Sequence, residues 1–242
     1  MTPPAGAYHR WAPEWRGDAV AVLAGGPSLP VDRVPDICDR PWRIVTINDS
    51  YRLVPSGLID LAYFCDAAWW RWHRDDPKLL DLAESGKLAT LENLDLRSEA
   101  PGLRCVRNDS LRPGAESVRD GACAEPDGVR TGSNSGYQVL QLLAHLGAAR
   151  VYLFGYDLAH DGQRTHWHAG HPVGQSPSIF RAWADHYATL APLLAAAGMS
   201  VICCNPRSSL TAFPRISTDD ALAATDGVLD HLPPIQIGRA HV

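Results

Sequence analysis

Seven short apolar runs recur along the chain, each rich in β-branched or aromatic residues and bounded by turn-forming residues. They occupy residues 19–26, 43–49, 60–66, 87–91, 103–107, 150–157 and 200–205. Their apolar positions are continuous rather than alternating, which is typical of strands buried on both faces of a parallel sheet. The pattern therefore predicts strands at these seven places.

Two of the intervening stretches have the spacing of helices. Residues 135–146 place four apolar side chains three or four positions apart, and Gly147 follows as a stop signal. Residues 177–197 are rich in Ala and Leu and end before Gly198, while Pro192 predicts a kink or a break inside them. Alternation of strands and helices predicts an α/β fold with a single doubly wound, mostly parallel, Rossmann-like sheet.

Composition and charge narrow the class of protein. The chain is 45% hydrophobic and 20% charged, as in ordinary globular proteins, and its net charge of −5 gives no basic field for nucleic acid. The N-terminus lacks the apolar core of a signal peptide, and no stretch approaches the roughly 18 apolar residues of a membrane span. We therefore expect a cytoplasmic protein with no membrane span. Its six cysteines form no CxxC pair and are expected to be buried free thiols.

Glycines and polar residues follow four of the predicted structural elements, where open parallel sheets bind their ligands. Residues 25–28 form a Gly-Gly-Pro-Ser turn, which is either a plain strand exit or a backbone cradle for phosphate. Asn48 and Asp49 either build a turn or bind a base or ribose. Asp66 precedes a tryptophan cluster that either packs in the core or walls a pocket. Residues 131–137 open a helix with small and hydroxyl side chains, which favours an anion site.

Three histidines, His166, His168 and His171, lie within six positions after the sixth predicted strand. They could bind zinc together with Asp157 or Asp161, supply a general base, or belong to a solvated loop. Their spacing matches none of the standard zinc signatures, whereas a histidine with its ordinary pKa suits proton transfer at neutral pH. We therefore favour a catalytic base and predict no bound metal.

Five motifs in matching order resemble the bacterial sialyltransferases of glycosyltransferase family 42. Related proteins, many of them phage-encoded, and the pterin diphosphokinase-like domain share the resemblance. The motifs are GGPSL, IND, TGSNSGYQVLQLLAHLGAARVYLFGYD, the GH element at Gly170 and CCNPRSSL, and they span roughly residues 18–215. The resemblance implies a nucleotide-binding domain over that range, after an N-terminal extension at 1–17.

The C-terminal end is interpreted separately. Residues 216–236 are taken as a truncated segment, and a long polar loop at 108–132 is expected to lie over the site. Residues 237–242 match a translated sequencing adapter and are interpreted as an artefact.

The resemblance also implies donor-binding residues, which match the family's Gly-Pro-Ser turn, strand-two asparagine, Ser-Gly helix start, Gly-x-Asp and Asn-Pro-x-Ser elements. These are Gly25, Gly26, Ser28, Asn48, Ser135, Gly136, Gly155, Asp157, Asn205, Pro206 and Ser208. We add Asp66 and Ser133 because of their positions after a strand and before a helix. The family has an asparagine that contacts the donor phosphate where this chain has Gly25, a departure that concerns the sugar more than the nucleotide.

The family's general base corresponds to His171, and His166 with Trp167 would line the acceptor side. The resemblance thus implies a nucleotide-sugar-dependent glycosyltransferase that uses a CMP-type donor, a hydroxyl acceptor and no essential metal. Two alternatives stay open. One is a diphosphokinase-like enzyme with Mg²⁺ held by strand-end carboxylates such as Asp49, Asp66 and Asp157. The other is a phage-associated nucleotide-binding protein without catalysis.

Overall fold

The computed structural model describes residues 7–92, 94–111, 120–162, 164–169 and 177–224. Within these residues the core element is an eight-stranded sheet. Its strands are β1 (Ala19–Leu23), β2 (Arg43–Ile47), β3 (Leu61–Phe64), β4 (Leu88–Leu91), β5 (Arg104–Asn108), β6 (Gly128–Val129), β7 (Arg150–Phe154) and β8 (Ser200–Cys203).

All neighbouring strands pair in parallel in the order β6-β5-β4-β3-β2-β1-β7-β8. The chain moves outward from β1 to β6 and then returns to the other side of β1 with β7. Val22 consequently pairs with Val45 of β2 on one side and with Leu153 of β7 on the other. This arrangement confirms the predicted doubly wound α/β fold, in which the direction of winding reverses beside β1.

Six α-helices accompany the sheet in the described residues. They are α1 (Val34–Cys38), α2 (Ala67–His73), α3 (Pro77–Glu84), α4 (Ser135–Leu146), α5 (Pro177–Ala196) and α6 (Thr218–Ala223). No helix in the described part of the chain has the length and apolar character that crossing a membrane requires.

Successive β1 residues enter different cores, which explains the continuous apolar runs of the sequence. Val20 and Val22 pack with α4 and α5 residues, whereas Ala21 and Leu23 pack with residues of α1, α2 and α3. Both faces of the sheet are therefore covered, as a buried parallel sheet requires.

The predicted helix at 135–146 is confirmed as α4, and Gly147 ends it with a left-handed φ of 83°. Of the kink or break predicted at Pro192, the break is wrong, because α5 runs through this residue. Proline removes its own N–H from the helix and its ring crowds the preceding turn, so the continuous helix needs support from packing. The adjacent Leu190, Ala191 and Leu194 are buried and hold the helix against the sheet.

Each of the seven predicted strands is present, but β6 lies inside the segment 108–132 that was predicted to be a loop. The described residues 120–130 of this segment contact α4 and α5 through Gly121. Tyr137 Oη of α4 donates to Gly121 O at 2.6 Å, and Gly121 N donates to Thr189 Oγ1 of α5 at 3.2 Å. A loop over the site would have to come from residues 112–119, which lie outside the described residues. The six cysteines are free thiols, and four of them are buried.

Candidate functional site

A cleft of about 370 Å³ opens at the carboxyl ends of β1, β2, β3 and β7, beside the N-terminus of α4. This position is where open parallel sheets bind their ligands, because the loops diverge where the winding reverses. Two pairs of aromatic side chains form its walls: Trp69 and Trp72 from α2, and Phe180 and Trp183 from α5. Trp70, by contrast, is buried in the core, so the tryptophan cluster serves both purposes.

Ten of the residues predicted from the sequence line this cleft. They are Gly25, Gly26, Asn48, Asp66, Ser133, Ser135, Gly136, Gly155, Asp157 and His166. Ser28, Asn205 and Ser208 are not among the lining residues. The predicted base His171 lies outside the described residues.

The turn after β1 packs directly against the loop after β7. Gly26 N donates to Gly155 O at 2.9 Å, and Ser28 N donates to Asp157 Oδ2 at 3.2 Å. A Cβ atom on Gly26 would lie 2.0 Å from Asp157 Oδ2 and 2.4 Å from Gly155 O, so this position accommodates only glycine. Gly25 lines the cleft, and its N–H makes no hydrogen bond to any described residue. This N–H group is available to a ligand.

Asp157 is a structural anchor of the β7 loop. Its Oδ1 accepts a hydrogen bond from Asn205 Nδ2 at 2.9 Å, and Ser208 Oγ donates to the neighbouring Tyr156 O. Burial raises the pKa of the Asp157 carboxyl, although the Ser28 hydrogen bonds oppose the rise. Asn205 and Ser208 thus support the cleft from behind rather than line it.

The N-terminus of α4 presents N–H groups to the same cleft. Asn134 caps the helix: its Oδ1 accepts hydrogen bonds from Tyr137 N at 3.1 Å and from Tyr187 Oη at 2.9 Å. The first N–H groups of a helix have no intrahelical partner, and those of Ser135 and Gly136 make no hydrogen bond to the described residues. Together with the positive end of the helix dipole they form a potential anion site.

Two further predicted residues follow β2 and β3. Asn48 adopts a left-handed φ of 51°, which asparagine tolerates better than most residues, and its side chain makes no hydrogen bond to a described residue. Asp66 caps α2, since its Oδ1 accepts from Ala68 N at 2.7 Å. Asn48 is therefore available to a ligand, whereas a structural role already accounts for Asp66.

The sequence left Asp49 open as a turn former, a contact to a base or ribose, or a Mg²⁺ ligand, but the structure makes it the centre of a cluster in the cleft wall. This Asp49 cluster comprises Asp49, Arg52, Trp69, His73 and His168. The buried carboxylate accepts from Trp69 Nε1 at 3.0 Å and lies 3.1 Å from Arg52 Nη1. His73 Nε2 lies 3.4 Å and His168 Nε2 3.7 Å from its oxygens. Burial lowers the pKa of His73, with Arg52 and His168 adding to the effect and Asp49 opposing it.

The histidine segment crosses over the β1 turn. Trp167 N donates to Gly25 O at 3.0 Å, and a Cβ atom on Gly25 would lie 3.1 Å from His166 Cδ2. The side chain of His166 therefore occupies space that a larger residue at position 25 would fill. His166 Nδ1 and Thr165 Oγ1 are hydrogen-bonded at 2.8 Å.

The zinc alternative requires His171, which lies outside the described residues. Among the residues that are described, the one group of three or more His, Cys, Asp or Glu with ligand atoms within 4.8 Å is Asp109, Cys123 and Glu125. Arg107 lies against this group, with its Nη1 2.7 Å from Asp109 Oδ1, so the guanidinium compensates the negative charge of the group.

Comparison with known proteins gives a likeness at the level of fold. No family model matches the sequence. No curated protein matches it either. Among solved structures, the MAf glycosyltransferase from Magnetospirillum magneticum AMB-1 is 16% identical with a TM-score of 0.52, and the match covers 88% of this chain and 36% of that one. The chain thus spans about a third of that protein's length.

The sialyltransferase CstII from Campylobacter jejuni, solved with cytidine-5'-monophosphate, is 12% identical with a TM-score of 0.48, over 84% of this chain and 86% of that chain. The match to the Magnetospirillum protein shows that this chain has a glycosyltransferase-like fold.

Proposed function

We propose that the chain binds a nucleotide-linked sugar in this cleft and transfers the sugar to a hydroxyl acceptor. One observation supports the proposal most directly: the N–H groups of Gly25, Ser135 and Gly136, which make no hydrogen bond to a described residue, belong to a single cleft of a glycosyltransferase-like fold. Such groups stabilise a phosphate, and they stabilise it more strongly once its bond to the sugar breaks and charge accumulates.

The charge of the cleft favours a donor with a single phosphate. No lysine or arginine is among its described lining residues, whereas Asp49, Asp66 and Asp157 are. Backbone N–H groups and a helix terminus supply only partial positive charges. They suit the one phosphate of a CMP-type donor better than the larger charge of a diphosphate without a metal.

In this proposal Asn48 binds the nucleoside, and His171 accepts the proton of the acceptor hydroxyl. Asn48 follows β2 in the cleft lining, and its amide makes no hydrogen bond to a described residue, so it suits a base or a ribose hydroxyl. The role of His171 follows from the family resemblance alone.

The Mg²⁺-dependent alternative has less support, because the carboxylates that it needs are engaged. Asp157 accepts from Ser28 and Asn205, Asp66 caps α2, and Asp49 faces Arg52. The three do not form a group of ligand atoms within 4.8 Å in the described residues.

A panel of nucleotides and nucleotide sugars tests the proposal by thermal shift and then by calorimetry. Ligands that bind only the folded chain raise its Tm, by an amount that follows from concentration and Kd. We expect CMP or a CMP-linked sugar to stabilise the chain without added Mg²⁺. If no nucleotide or nucleotide sugar shifts the Tm, the proposal is wrong.

The Asn48 assignment is tested with two variants. Asn48→Ala removes the amide and should weaken nucleotide binding by about 1–3 kcal/mol. Asn48→Gly removes the amide as well but tolerates the left-handed backbone, so equal losses would assign the effect to the side chain. Unchanged affinity in both variants would refute the assignment.

Catalysis is tested by release of sugar from the donor with and without acceptor. His171→Ala should lower turnover by roughly 10²–10⁴ and leave donor affinity nearly unchanged, since a base acts on the acceptor proton. A wild-type chain that binds the donor tightly but never cleaves it would instead support a binding protein without catalysis.

A further inference from the structure

The cleft must supply positive charge to any phosphate, and the described lining residues restrict the source. Neither lysine nor arginine lines the cleft, so His166 and His168 are the two described lining side chains that can carry a positive charge. His166 lies against Gly25. His168 belongs to the Asp49 cluster.

The Asp49 cluster surrounds one buried carboxylate with several groups that can be positively charged. Arg52, always charged, lies 3.1 Å from Asp49 Oδ1 and balances its charge. His73 and His168 approach the same carboxylate at 3.4 Å and 3.7 Å. Protonation of either histidine therefore gives the cluster a net positive charge. Of these two, His168 lines the cleft.

Both ring nitrogens of His168 face oxygen acceptors. Nδ1 lies 3.2 Å from Ala169 O, and Nε2 lies 3.7 Å from Asp49 Oδ2. A neutral imidazole has one N–H donor and one lone pair, so one of its nitrogens would repel the oxygen that it faces. A ring that carries both protons donates to Ala169 O and, because 3.7 Å is longer than a hydrogen bond, keeps its Nε2–H available to a ligand.

We propose that His168, positioned by Asp49, is the cationic residue that binds the phosphate of the ligand in this cleft. The inference rests on the proposed function for the identity of that ligand. During transfer the bond from the sugar carbon to the phosphate oxygen breaks, and its electron pair stays on that oxygen. The acceptor oxygen forms the new bond to the sugar, and its proton passes to the general base, a role that the proposed function gives to His171. The imidazolium stabilises the departing phosphate.

The test compares CMP with cytidine, which differs by the phosphate alone. His168→Gln keeps a polar side chain but removes the charge. Because a hydrogen bond to a charged group contributes roughly 1.5–3 kcal/mol, we expect CMP affinity to fall by about 10- to 100-fold in calorimetry. Cytidine affinity should not change. His168→Lys should regain part of the CMP affinity because it restores a positive charge.

His160→Gln serves as the matched control, since His160 is an exposed histidine of the same loop that does not line the cleft. It should bind CMP like the wild type. Equal loss of CMP and cytidine affinity in His168→Gln, or no loss of either, would overturn the inference and leave the proposed function standing.

If the wild type binds neither CMP nor cytidine, the proposed donor is wrong. The role of His168 is then decided by titrating inorganic phosphate and following the ¹⁵N resonances of the His168 ring by NMR. Perturbation of these resonances, with none for His160, would uphold the phosphate site by itself. Absence of any perturbation would overturn it.

Discussion

Alanine at Gly26 should disrupt the contact between the loops after β1 and β7. Its Cβ atom would lie 2.0 Å from Asp157 Oδ2 and 2.4 Å from Gly155 O, where ordinary contacts begin at 3.4 Å. The loops would have to separate by about 1.0–1.4 Å, the difference between these distances. Gly155 O accepts from Gly26 N and Asp157 Oδ2 from Ser28 N, so such a movement breaks both hydrogen bonds.

The magnitude follows from these two bonds. A neutral hydrogen bond contributes about 0.5–1.5 kcal/mol and one to a charged group about 1.5–3 kcal/mol, so Gly26→Ala should cost about 2–4.5 kcal/mol. Gly25→Ala meets only the movable ring of His166 at 3.1 Å and should cost less than about 1 kcal/mol. Gly57→Ala meets nothing within 4 Å and should stabilise by about 0.4–1 kcal/mol through the unfolded state.

Urea unfolding of the three variants, followed by fluorescence of the eight tryptophans, gives the free energies of unfolding. The expected order of stability is Gly57→Ala, then Gly25→Ala, then Gly26→Ala. The reasoning fails if Gly26→Ala unfolds within about 0.5 kcal/mol of the wild type, the size of an ordinary surface substitution. It also fails if Gly57→Ala loses as much stability as Gly26→Ala.

Three further predictions concern polar side chains that line the cleft. Because burial raises the pKa of Asp157, its contribution to stability is present at low pH and decreases as pH rises through that pKa. Asp157→Asn should therefore lose less stability than the wild type as pH rises above about 4, the ordinary pKa of an aspartate, in urea unfolding at each pH. Asn134→Ala removes a helix cap that accepts two hydrogen bonds and should cost about 1–3 kcal/mol, whereas Asn134→Asp, which keeps the acceptor, should cost less. Trp69→Phe leaves buried Asp49 without one hydrogen-bond donor and should lower the free energy of unfolding by about 1–2 kcal/mol. Trp72→Phe, at a side chain that is 48% exposed, should change the free energy of unfolding little, and equal effects of the two substitutions would contradict the role of the Trp69 donor.

The fold was predictable wherever the information is local. Both faces of the sheet are covered, so each long strand appears in the sequence as a continuous apolar run, and Gly147 ends α4 by its own backbone conformation. The two residues of β6 are too few for any pattern to detect. The outcome at Pro192 depended on packing of its neighbours against the sheet, which no local signal records.

The site was predictable to the extent that it lies at the ends of strands. Gly25, Asn48 and Ser135 each follow or precede a recognisable element, and the topology brings these positions together. The grouping of Asp49 with His168 was not predictable, because it joins residues from distant parts of the chain through the tertiary fold. Asn205 belongs to a recognisable motif, yet it does not line the cleft: its side chain donates a hydrogen bond to Asp157 and so holds the loop after β7.

The position of β1 between β2 and β7 has a consequence for synthesis on the ribosome. Leu23 ends β1 and Phe154 ends β7, 131 positions later. At about 5–20 residues per second, β1 has one open edge for roughly 7–26 seconds. An apolar strand with an unpaired edge can pair with another chain and start aggregation. Heterologous expression should therefore give more soluble protein at lower temperature or with a chaperone that shields nascent chains.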